Sequence, residues 1–156
     1  MTTATGLYDW LVFLHVLAGM VWVGGITVLG AFAVRVLRER EADAVGRFLG
    51  SLRRIGPLVL APAPVLLVGF GIWAVADSDA WDFGQLWVQL GLGLFAAAFL
   101  VGAAHQSTVA IGAERAAARG DHDEALRRLR RWAWGMALIV VLLIVATWAM
   151  VFKPGL

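Results

Sequence analysis

Cysteine is absent from this 156-residue chain, which removes disulfides, iron–sulfur ligation and thiolate metal sites from consideration. Charge is scarce too, at 15% of residues against about 25% in soluble domains. Long stretches carry none at all. No acidic pair falls inside an apolar stretch, no nucleophile stands at workable spacing from a base, and no glycine-rich phosphate loop occurs. An enzyme is therefore not expected, nor is a proton or cation transporter, which would usually show buried charges.

What fills the chain instead is apolar: 61% of residues are hydrophobic, above the roughly 45–50% of soluble domains. A helix rises about 1.5 Å per residue, so about 20 apolar residues cross a bilayer's hydrocarbon. Four segments qualify, at about 7–34, 57–76, 86–113 and 132–152. One integral membrane domain over 1–156 is expected, an all-α four-helix transmembrane bundle whose main partner is the lipid bilayer. The first segment is too long for the core of a cleavable signal and is expected to remain as a membrane helix.

Twelve of the thirteen basic residues lie in two segments, Arg35 to Arg54 and Arg115 to Arg131. The link from Asp77 to Gln85 holds three aspartates and no base, and the tail holds only Lys153. By the positive-inside rule both arginine segments are expected in the cytoplasm, with both termini outside. The net charge of +2 then reports topology, and nucleic acid is not an expected partner. Aromatic residues agree with this layout, with Tyr8, Trp10, Trp73, Trp81, Trp87 and Trp148 at the outer face and Trp132 and Trp134 at the inner.

Helix-forming composition at Glu39 to Leu52 and Asp121 to Arg131 predicts short cytoplasmic helices in the arginine segments. Asp121 with Glu124 three residues on has the pattern of an N-cap and capping-box partner, and Gly120 is expected to end the helix before it. Pro57 suits a first helical turn, whereas Pro62 and Pro64 are expected to kink the second span. Glycines within the spans predict close helix packing and allow a homodimer or a partner in a membrane complex.

Ionisable groups inside a membrane are costly, which singles out His15 and His105. His15 shares a helical stripe with Ala18, Gly19, Trp22 and Gly25 and is expected to face the bundle; His105 is expected to do the same. The two cannot clamp one metal. His15 follows Trp10 by five residues and His105 follows Trp87 by eighteen, placing them about 8 Å and about 27 Å below the outer interface. A haem on His15 would therefore need another partner at its own depth, such as Met150, or none. The alternative is that both imidazoles are neutral bridges between helices, bonded to backbone carbonyls or to neighbours such as Thr147 or Gln89.

The segments YDWLVFLHVLAGMVWVGG, RRIGPLVLAPAPVLLVGFGIW, WDFGQLWVQLGLGLFAAAFLVGA and VFKPG together resemble a bacterial integral-membrane family, domain of unknown function 2269. The resemblance implies a four-helix protein of the bacterial cell membrane with no assigned activity. More distantly, LHVLAGMVWVGG resembles the first helix of copper resistance protein D and of HemJ-type protoporphyrinogen oxidases, with His15 and Trp22 at matching positions. That likeness implies haem b, or copper or metal transport, at the histidine. The intramembrane lysine of the HemJ type has no counterpart here, and the methionines form no copper-binding cluster.

Three functions follow as expectations. One is a membrane module binding haem b or a similar ligand through His15, Trp22 and Met150. The second is a structural or assembly subunit without ligand, whose intramembrane polar residues His105, Gln89 and Thr147 only join helices. Metal transport is the third, although no metal-ligand set stands out in the sequence.

Overall fold

The computed structural model describes residues 6–156; the first five residues of the expected domain lie outside them. Six α-helices follow in order: α1 Leu7–Glu39, α2 Ala42–Ile55, α3 Pro62–Ala76, α4 Leu86–Leu100, α5 Ser107–Ala118 and α6 His122–Phe152. Wider π-helical turns at Gly56–Leu60 and Val101–Gln106 join α2 to α3 and α4 to α5. The chain thus forms four long rods, 7–39, 42–76, 86–118 and 122–152, each long and apolar enough to cross a membrane. No strand occurs among the described residues.

At 33 residues α1 is about 50 Å long, whereas the hydrocarbon is about 30 Å thick, so the rods project beyond the bilayer. The arginine segments are these projections. They are helical as the composition predicts, and they run on into the neighbouring spans: α2 passes through the first π turn into α3, and His122 to Arg131 is the opening of α6. Pro62 lacks an N–H, and its ring cannot sit against the carbonyl four residues back, which accounts for a widened turn at Gly56–Leu60 immediately before it.

Helices α1 and α6 form the centre of the bundle. On α1 pack α3 and α6, and on α6 pack α4 and α5, while α3 and α4 scarcely touch. Large apolar side chains such as Phe13, Met20, Phe32, Val141 and Ile144 point outward from the spans. In water that would be an untenable apolar surface; against lipid tails it costs nothing.

The tightest packing lies at the arginine-rich end, where Ala33, Val45, Ala113, Ala116, Ala125 and Leu129 are all at or below 1% exposure. Water provides the hydrophobic driving force there, which lipid cannot. Helix α2 contributes Ala44, Val45, Phe48 and Leu49 to this core, and Phe48 meets Trp132 edge-on at 5.6 Å. Arg53 and Glu114 form an exposed pair at 3.6 Å across its edge.

The turn between α5 and α6 follows the capping chemistry the sequence predicts. Gly120 adopts φ +76°, the Asp121 N–H bonds the Ala116 carbonyl, and the Gly120 N–H bonds that of Ala117, a Schellman arrangement. Asp121 then accepts from the Glu124 N–H at 3.1 Å and caps α6. The expected reciprocal half of the capping box is not made: Glu124 turns to Arg127 and Arg128 instead. Charge-assisted bonds to two guanidinium groups outcompete one backbone N–H. Gly112 leaves the space on α5 that the Arg128 guanidinium occupies.

Candidate functional site

His15 lies on α1 against α3. Its Nδ1 is 2.8 Å from the Leu67 carbonyl oxygen, and the ring rests on Gly71, where an added Cβ would stand 2.8 Å from Cε1 and Nδ1. A carbonyl only accepts, so this contact assigns the proton to Nδ1. Nε2 is left with its lone pair, and it makes no hydrogen bond among the described residues. A metal-ligating imidazole is commonly held in this way, by Nδ1–H on a backbone carbonyl. The same bond also joins two helices.

The other residues expected around His15 are engaged elsewhere. Trp22 is 4% exposed and packs edge-on against Phe95 of α4 at 5.7 Å, and Phe95 stacks on Phe99. Met150 sends its methyl group onto Gly91 of α4, where an added Cβ would lie 2.8 Å from Cε. His15 thus meets α3, whereas Trp22 and Met150 both meet α4. The Thr147 hydroxyl donates to the Leu143 carbonyl of its own helix at 2.9 Å. Gln89 is exposed and donates to the Phe83 carbonyl at 3.3 Å, closing the α3–α4 link. Neither reaches an imidazole.

His105 is a correction. It is exposed, and its neighbour Gln106 takes the inward place at 4% exposure. The stripe through Gly91 and Ala98 would bring residue 105 inward in an uninterrupted α-helix, but the π turn at Val101–Gln106 inserts extra backbone and shifts the inward position by one residue. Gln106 Nε2 donates to the Trp132 carbonyl at 2.9 Å, lying across Gly135, where an added Cβ would meet Oε1 at 2.6 Å. Its Oε1 is buried without a partner among the described residues. Sequence reasoning placed Gln106 in the membrane but had no signal that it, not His105, is the buried polar group.

His122, at the start of α6, bonds the Arg40 carbonyl through Nε2 at 2.8 Å and so ties the two arginine segments together. At the opposite end, Lys153 Nζ stands 3.5 Å above the Trp81 ring, Trp81 meets Trp87 edge-on at 5.3 Å, and the Trp81 indole N–H donates to Tyr8 at 2.9 Å. This aromatic and cation–π clasp fastens the start of α1 and the end of α6 to the α3–α4 link.

Four long apolar rods with aliphatic side chains turned outward and charge confined to their ends define an integral membrane protein with several spans. A family model described as predicted integral membrane protein (DUF2269) matches residues 9–154, and the chain belongs to that family. No curated protein and no solved structure matches it.

Proposed function

We propose that this protein presents His15 as the one protein ligand to haem b, or to a similar planar metal-centred group, in the outer leaflet of the bacterial cell membrane. The observation that supports this is the Leu67 carbonyl holding Nδ1–H while Nε2 keeps a free lone pair. An orientation with both termini outside and the arginine segments in the cytoplasm puts His15 near the outer face.

Met150 rests on Gly91 and Trp22 on Phe95, so His15 would hold such a group without either of them. A bound haem would supply one-electron or oxygen chemistry, and the Leu67 carbonyl fixes which imidazole nitrogen of His15 is free to hold it.

A structural or assembly subunit is the second reading, and the fit of the His15 ring over Gly71 favours it, since that contact braces α1 on α3 without any ligand. Copper or metal transport draws no comparable support: no group of three or more His, Asp or Glu residues converges among the described residues. Purification in mild detergent with a Soret spectrum separates the two. A haem band that disappears in His15→Ala, with helicity retained, supports the ligand reading. A colourless protein, even after haem is added, or a band unchanged by His15→Ala, rejects it.

A further inference from the structure

Between α1 and the second rod runs a groove of about 670 Å³, within the roughly 300–1,000 Å³ of sites that take small molecules. Gly24 and Gly25 form its inner end, Val28 and Phe32 one wall, and Ile55 and Leu60 the other. Nothing lies within 4 Å of where a Cβ on Gly24 would project, so the missing side chain leaves open space. The lining changes character toward the arginine-rich end, where Arg35, Glu39, Arg47 and Ser51 surround the mouth.

Length and charge together specify an occupant. From Gly24 to Arg35 is eleven residues, or about 16 Å along α1, which is half of the roughly 30 Å hydrocarbon. The groove therefore reaches from headgroup level to the bilayer midplane, the depth of one leaflet. At the mouth Arg35 is bound to Glu39 at 2.8 Å, whereas Arg47 makes no ion pair among the described residues. One uncompensated positive charge remains, complementary to one phosphodiester.

We propose that this groove seats one anionic glycerophospholipid, its phosphate on Arg47 and one acyl chain laid along α1 to Gly24. A zwitterionic lipid fits the apolar part equally well but carries its own ammonium to a cationic mouth, so the headgroup sets the preference. The site is independent of His15, which packs on the opposite part of the second rod, at Leu67 and Gly71.

The test is native mass spectrometry of the intact protein released from nanodiscs of equal phosphatidylglycerol and phosphatidylcholine. The wild type is expected to retain one phosphatidylglycerol, about fivefold enriched over phosphatidylcholine, the effect of one arginine at a membrane surface. Arg47→Gln is expected to bring the two lipids to equal retention. Gly24→Leu, for which the groove has room without disturbing the fold, is expected to abolish retention of either. Equal retention of both lipids by the wild type overturns the proposal, as does retention that both substitutions leave unchanged.

Discussion

His15 on α1 and Leu67 on α3 are joined by a 2.8 Å contact from Nδ1 to the carbonyl oxygen, made possible because the residue one turn beyond Leu67 is Gly71. An alanine Cβ at position 71 would stand 2.8 Å from the ring, so Gly71→Ala must push the imidazole off its acceptor. The expected cost is about 1–3 kcal/mol, as for overpacking elsewhere. In a His15→Ala background the same change should cost far less. Unfolding in mixed detergent, analysed as a double-mutant cycle, measures that coupling.

The π turn that buries Gln106 makes a second prediction. Gly135→Ala puts a Cβ 2.6 Å from Gln106 Oε1 and is expected to cost about 1–3 kcal/mol, whereas Gly93→Ala, with nothing within 4 Å, should be neutral or slightly stabilising. His105→Leu should not destabilise, because the ring points outward and leucine suits lipid better. A large loss for His105→Leu would mean that residue 105, not 106, faces the core.

The spans and capping turn were legible in the sequence because they rest on signals it carries directly: apolar length, arginine segregation, an Asp121 cap and a Gly120 stop. The neighbours of His15 were not, for a physical reason. Its hydrogen-bond acceptor is a backbone carbonyl, which every residue possesses, so no side chain marked Leu67. The inward place of Gln106 was hidden because helical periodicity assumes 3.6 residues per turn, and one π turn breaks the count. The continuity of α2 with α3 was obscured by Pro57, which reads as a first helical turn where the rod only widens.

Packing at the arginine-rich end is driven by water and should dominate stability. Phe48→Ala, which empties the contact with Trp132, is expected to cost about 3–5 kcal/mol. Val141→Ala, which trims a side chain turned toward lipid, should change stability by about 0.5 kcal/mol or less. Thermal melts in detergent rank the two.

Glu124 gives the fold a sensitivity to acid. Hydrogen bonds from Arg127 and Arg128 hold its carboxyl below the ordinary glutamate range of about 4.3. A depressed folded pKa adds stability that is complete above the unfolded value and is lost as pH falls through the folded one. The melting-temperature gap between wild type and Glu124→Gln should therefore be constant above about pH 5 and shrink below about pH 4. A gap unchanged down to about pH 3 would show that the ion pairs contribute nothing.

The proposed placement of His15 in the outer leaflet and the proposed lipid groove in the inner one both depend on the arginine segments lying in the cytoplasm. The chain has no cysteine of its own, so single reporters at the exposed positions Asp43, Asp79 and Asp123 can be read without background. A membrane-impermeant maleimide applied to intact cells is expected to label Asp79→Cys, and to label Asp43→Cys and Asp123→Cys only after permeabilisation. Labelling of Asp43→Cys or Asp123→Cys in intact cells, with Asp79→Cys protected, would contradict the account.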